Sequence, residues 1–236
     1  MAWIAGVDGC KDGWIATLEN TDTGETQCRL FKNFDVLRQH QPRLEIVCVD
    51  IPIGLPDGEA SRDCDTCARK QLGPRRSSVF PAPVRQALPY YKDYEKAKEI
   101  NRAVSKKGLS KQTFYLLPKI RQVDQAFDGP ENARPRIIEC HPEVCFWAMN
   151  GKEAMPHYKT TMPGMLQRRG LLARHLGDAL PRMEAQASDL TGASLDDLYD
   201  AMATLWTARR VLGDKAATLP DAQQIDSMGR PMNITY

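Results

Sequence analysis

Three stretches of the chain share one pattern, a run of aliphatic residues closed by an acid: Ile4-Ala-Gly-Val-Asp8, Leu44-Glu-Ile-Val-Cys-Val-Asp50 and Arg136-Ile-Ile-Glu139. Runs this apolar suit buried strands whose two faces are both covered by helices. After the first run, Gly9 and the Asp12-Gly13 pair supply turn chemistry, and residues 14–18 return as its hairpin partner. Residues 26–34 predict a third strand behind the Thr23-Gly24 turn, and residues 35–41 a short helix closed by Pro42. Ile51-Pro-Ile-Gly-Leu-Pro56 cannot continue a sheet interior, because proline lacks the N–H of the ladder. Asp50 therefore marks the C-terminal end of its strand.

Helical patterns fill residues 57–134, which read as an insertion before the strand that ends at Glu139. Ser61 is placed to cap a helix running to Leu72 and stopped by Gly73-Pro74. Residues 94–104 and 110–127 predict two more helices, divided by Lys106-Lys107-Gly108. Residues 74–83 are irregular, basic and rich in hydroxyls. His141-Pro142-Glu143 opens a helix with proline in the first turn, where its missing N–H does no harm. Residues 159–176 contain another, carrying Arg168, Arg169 and Arg174, and residues 195–212 the longest, capped by Ser194. The tail from 217 reads as a loop finishing in a short strand at 232–236.

On a wheel of 100° per residue, the longest helix has a bulky face of Leu195, Leu198, Met202 and Trp206. Opposite lie Asp197, Asp200, Ala201, Thr204 and Ala208. A face of small residues lets a helix approach a sheet closely, which would hold its two acids near strand ends.

Charge and cysteine count narrow the class. The 236 residues carry a formal net charge of +2, with 42% hydrophobic and 26% charged residues, a balance that fits a globular chain. Residues 56–134 hold 16 Lys+Arg against 10 Asp+Glu, so the insertion is basic and the remainder acidic. That division suits a polyanionic partner, although a solvated helical surface would give the same count. No run of about 18 apolar residues occurs, so no membrane span is expected. The N-terminus lacks the basic and apolar regions of a signal peptide. Seven cysteines, an odd number, suit a reducing compartment, and a cytoplasmic protein is expected.

The acids carry the candidate chemistry. Parallel strands of an open α/β sheet bring their C-terminal ends to one edge, where ligands bind. Two ionised carboxylates about 5 Å apart repel by about 3 kcal/mol at an effective dielectric near 20. A cluster of them calls for protons or divalent cations, and Mg²⁺ or Mn²⁺ suit oxygen ligands. Each acid also has a plainer use. Asp8 can order a turn before Gly9, and Asp50 the loop that follows it. Asp197 falls in a Ser194-x-x-Asp197 capping pattern, and Glu139 can pair with an arginine of the insertion. Asp200 has no such use. Cys64-x-x-Cys67, with Cys140-His141 and Cys145, invites a zinc reading. Against it, the first pair lies within a predicted helix and no second CxxC stands at finger or ribbon spacing. Neither a nucleophile elbow, a P-loop nor a dinucleotide fingerprint is present.

Several motifs in order resemble domain-of-unknown-function family 429, described as predicted RNase H-like nucleases. They are Gly6-Val-Asp8-Gly-Cys-Lys-Asp-Gly-Trp14, Val49-Asp50-Ile-Pro-Ile-Gly-Leu-Pro56, Arg62-x-Cys-Asp65, Ser77-Ser-Val-Phe-Pro81, Glu139-x-His141-Pro-Glu143 and Asp196-Asp-Leu-Tyr-Asp200-Ala-Met-Ala. The resemblance implies an α/β, ribonuclease H-like mixed sheet of five strands flanked by helices. The first three strands would run antiparallel, and the fourth and fifth parallel to the first. One domain would then span 1–236, with the helical insertion at 57–134 between the fourth and fifth strands. In that superfamily the first-strand aspartate, here Asp8, is a metal ligand, and an acid at the end of the fourth strand falls on Asp50. Asp197-Leu-Tyr-Asp200-Ala201 is similar to the late-helix motif of the Holliday-junction resolvase branch.

The expectation is a metal-dependent phosphodiester hydrolase acting on nucleic acid with Mg²⁺ or Mn²⁺. Asp8, Asp50, Asp197 and Asp200 would hold the metal, Glu139 would assist, and His141 and Glu143 would support them. Arg75, Arg76, Lys111 and Lys119 would contact phosphates. The alternatives are a catalytically silent binding protein of the same fold, for nucleic acid or a protein partner, and a phosphotransferase of actin-like fold.

Overall fold

The computed structural model describes residues 2–128 and 135–236. The end of the insertion, 129–134, thus lies outside the described residues. Five strands form one sheet: β1 (Trp3–Cys10), β2 (Gly13–Asn20), β3 (Thr26–Phe31), β4 (Leu44–Val49) and β5 (Arg136–Glu139). Their order is β3-β2-β1-β4-β5. Pairs β1–β2 and β2–β3 are antiparallel, whereas β4 runs parallel to β1 and β5 parallel to β4. This is the mixed sheet that the sequence implies.

Alternation along the strands divides the core in two. Ile4, Ile15, Ile46 and Cys48 face one layer, built from α5 (Pro142–Met149), α6 (Met162–Leu176), α7 (Ala179–Ala187) and α8 (Leu195–Leu212). Trp3, Ala5, Val7, Trp14, Val47 and Val49 face the other. That layer includes α1 (Phe34–Arg38), α3 (Tyr94–Ser105) and α4 (Lys111–Gln125). Of the insertion, α2 (Asp63–Leu72) packs instead toward α5 and the tail.

The small-residue face of α8 lies on the sheet as its composition predicts. Ala201, Thr204 and Ala208 are fully buried, and Thr17 Oγ1 donates to the Ala201 carbonyl at 3.0 Å. A Cβ on Gly6 would stand 2.0 Å from Leu205 N and 2.2 Å from Ala201 O, so this contact requires glycine. Asp8, two residues beyond Gly6 on the same face, is thereby carried toward the start of α8.

Several boundaries differ from expectation. β1 continues to Cys10, with Asp8 opposite Ile15 and Gly9 opposite Trp14, so Gly9 belongs to the strand and the turn is Lys11-Asp12. A Cβ on Gly9 would meet Lys119 Cδ at 2.6 Å, so the lysine side chain lies directly across this glycine. α2 starts behind Arg62 and has no side-chain cap. Ser61 Oγ instead accepts from Lys107 Nζ at 2.5 Å. Residues 73–78 and 85–90 form short 3-10 helices, and α7 stands where no helix is predicted. The tail adds two short strands, β6 (Thr218–Leu219) and β7 (Ile234–Thr235). Its residues also hold the proline-rich loop after Asp50. Gly54 N donates to Pro231 O at 2.9 Å, and Leu55 N to Asp226 Oδ2 at 3.0 Å.

Candidate functional site

Two groups of acids stand at the C-terminal edge of β1, β4 and β5. Strand register decides which acid joins which group. β1 Val7 and β5 Glu139 are both level with Val49 of β4, and Val7 and Val49 face the insertion layer. Asp8 and Asp50 lie one residue further on and turn to the α8 side, because successive side chains alternate. Glu139, level with Val49, does not turn with them.

Glu139 is held by Arg62, an arginine of the insertion that is only 2% exposed. The guanidinium pairs with both Glu139 oxygens. Its Nη2 and Nε donate to Asp65 Oδ1 at 2.9 and 3.2 Å, and its Nη1 to Gly54 O at 2.9 Å. Glu139 Oε2 also accepts from Ile53 N at 2.8 Å. Cys64, Asp65 and Glu139 are the one set of three ligand-type side chains, among the described residues, with donor atoms all within 4.8 Å. Arg62 already supplies the positive charge there. Burial pushes the Cys64 thiol well up, so it is a poor thiolate ligand. Neither Cys140 nor Cys145 joins this set, and all seven cysteines are free.

The other group is Asp8, Asp50 and Asp200. Burial raises the Asp8 carboxyl well above its usual range, and Asp50 and Asp200 raise it further, while Lys159 opposes them. Burial likewise raises Asp50, against His141 and Lys159. Asp200 is pushed up to about 7, chiefly by burial, with Lys159 opposing and Asp50 and Glu143 adding to the rise. The Asp8 side chain accepts a hydrogen bond from Gly9 N, at 2.7 Å to Oδ1. Lys159 Nζ donates to Asp200 Oδ2 at 2.5 Å and lies 3.3 Å from Asp196 Oδ2. Lys159, whose side chain is 38% exposed, thus contacts Asp200 and Asp196, and its charge also acts on Asp8 and Asp50. Asp8, Asp50 and Asp200 offer hard oxygen donors and an excess of negative charge of the kind Mg²⁺ or Mn²⁺ takes, although their oxygens do not all lie within 4.8 Å of one another.

The remaining site residues divide. Asp197 completes a capping box: Ser194 N donates to its Oδ2 at 2.8 Å, and its own N–H to Ser194 Oγ at 3.3 Å. Its charge still reaches Asp8. His141 stands beside Asp50, with Nε2 3.3 Å from Ser78 O and Nδ1 unpartnered. Glu143 is paired with the buried Arg168, and its Oε2 is unpartnered. Lys119 reaches from α4 across Gly9, donates to Gly13 O, and sits 4.7 Å from the Trp14 ring centre. Burial lowers its ammonium group below the usual lysine value.

Asp8, Asp50, Asp200, Arg75, Lys119 and Lys159 all border one cleft of about 590 Å³. Arg76 and Lys111 are exposed and outside its lining. Sequence reasoning missed Lys159, which it set at the head of a helix; α6 starts only at Met162, and Lys159 lies in the turn before it. The expectation that Glu139 pairs with an arginine of the insertion holds, and Arg62 is that arginine.

No curated protein and no solved structure gives a significant match to the chain. The model of a protein family described as "protein of unknown function" matches residues 6–225. On that match over nearly its whole length, the chain belongs to the DUF429 family.

Proposed function

We propose that the protein is a divalent-metal-dependent phosphodiester hydrolase of ribonuclease H-like architecture that acts on nucleic acid. The observation that carries this reading is that Asp8, Asp50 and Asp200, from β1, the end of β4 and α8, line one cleft in which Lys159, bonded to Asp200, is the lysine beside them. The strand order and directions are those such an architecture uses, and residues 57–128 enter as its helical insertion.

In this reading Asp8, Asp50 and Asp200 hold Mg²⁺ or Mn²⁺, and Asp197 adds negative charge from its cap. A bound ion of this kind supplies Lewis-acid stabilisation of the charge that grows on a phosphate under attack. Lys159 keeps Asp200 oriented. Arg75 and Lys119 line the cleft and bind the backbone phosphates, so affinity falls as salt rises. The Lys119 ammonium lies against the Trp14 ring and beside Gly9, at the Asp8 end of β1. His141, next to Asp50, fixes the loop bearing Ser78 through the contact of its Nε2. Glu139 is assigned to Arg62, where it anchors the insertion to the sheet edge.

The test is cleavage of DNA and RNA panels with Mg²⁺ or Mn²⁺. Asp8→Asn should lower hydrolysis by about 10²–10³-fold, the usual cost of losing one group that stabilises transition-state charge. Cleavage unaffected by Asp8→Asn would reject the assignment. The lysine among the carboxylates favours a second reading, a binding protein of the same fold without catalysis. It predicts salt-sensitive nucleic-acid binding that survives Asp8→Asn, with no turnover under any metal.

A further inference from the structure

Beside the carboxylates, the same cleft carries an arginine and a tyrosine whose arrangement the hydrolysis alone does not require. Arg75 belongs to the 3-10 helix Gly73–Ser78 and is only 9% exposed. Its Nη2 donates weakly to Pro156 O at 3.4 Å, and its Nε and Nη1 have no hydrogen-bond partner. Its guanidinium carbon lies 3.6 Å from the centre of the Tyr158 ring. Tyr158 nevertheless stays 58% exposed, and both residues line the cleft. Lys159, the next residue, reaches Asp200.

A buried guanidinium with two unpartnered nitrogens is costly unless a partner arrives. Its planar fork suits a phosphate. An aromatic ring supported on one face by a guanidinium, and largely open otherwise, suits a second flat group. One ligand offers both features at this spacing: a nucleotide, with its phosphate toward Arg75 and its base on Tyr158. Inside a duplex both faces of a base are covered by its neighbours, so only an unpaired base can use the ring.

We infer that Arg75 and Tyr158 seat one unpaired nucleotide beside the carboxylate group, which makes single-stranded nucleic acid the substrate class. This inference rests on the nuclease reading of the cleft and narrows it.

The test uses fluorescence anisotropy of labelled oligonucleotides with the Asp8→Asn protein in EDTA, so that binding is read without turnover. The probes are a single strand, its duplex and an abasic strand of equal length. The single strand should bind about tenfold tighter than either of the others, and Tyr158→Ala should remove about that factor for the single strand alone. Tyr158→Trp, which keeps a stacking face, should restore it. Equal binding of duplex and single strand, or a Tyr158→Ala protein that binds the single strand as well as its parent, would overturn the inference. Cleavage assays separate the two readings. Asp8-dependent cleavage that ignores Tyr158 and strandedness would sink the nucleotide seat and leave the nuclease. Tyr158-dependent binding of single strands with no hydrolysis under any metal would sink the nuclease and leave the seat.

Discussion

Glu139 and Asp65 meet a guanidinium that is 2% exposed and bonded through all three nitrogens. At the same edge, Asp8, Asp50 and Asp200 have beside them one lysine, bonded to Asp200, whose side chain is 38% exposed. Both groups sit at the ends of the same strands, yet the first has one fully bonded arginine for two acids and the second one half-exposed lysine for three. Buried acids held by a buried arginine are architecture. Buried acids left to repel one another reduce stability and call for something from outside the chain. A cation is the simplest thing that removes the repulsion.

The largest expected effect tests the first half of this contrast. Arg62→Met leaves Glu139 and Asp65 buried without their counter-charge and should cost about 3–5 kcal/mol in urea unfolding. A loss below about 1 kcal/mol would mean that the acids are solvated or protonated in the native state, and the contrast would fail.

The second half predicts the opposite sign. Without metal, Asp8, Asp50 and Asp200 are all held above their usual values, Asp200 from 3.8 up to about 7. The folded chain then binds more protons than the unfolded chain within that window, so this contribution to stability fades as pH rises through it. In EDTA the wild-type melting temperature should therefore fall between about pH 5 and about pH 8 relative to Asp8→Asn. At about pH 8 Asp8→Asn should be the more stable protein by about 1 kcal/mol. A destabilised Asp8→Asn would show that Asp8 is a structural group like Glu139.

The smallest effect concerns Asp197, which stands between the two kinds of acid. Asn can still accept the Ser194 N–H, so Asp197→Asn should keep the cap to within about 0.5 kcal/mol in thermal unfolding. It should also keep most of the cleavage rate. A loss as deep as that of Asp8→Asn would move Asp197 from the cap into the metal-holding set.

Much of this arrangement was legible along the chain. Aliphatic runs closed by acids located the strand ends, and the small face of α8 announced its close approach to the sheet and the placement of Asp200. The division between the two groups was not legible. A strand buried on both faces carries no alternation to say which way its last acid turns, and the pairing of Val49 with Glu139 decided it. Ser61 had the right chemistry for a cap, but the attraction between Arg62 and two buried carboxylates set the start of α2 instead. Lys159 and Tyr158 lie just before α6, where only the folded chain shows what they meet.

Mn²⁺ titration of the purified protein, followed by calorimetry at about pH 8, tests the central claim most directly. Wild type and Cys64→Ser should bind the ion alike, because Arg62 already fills the group around Cys64. Asp8→Asn should bind about 100-fold more weakly. Undiminished binding by Asp8→Asn, or binding lost in Cys64→Ser, would contradict the account.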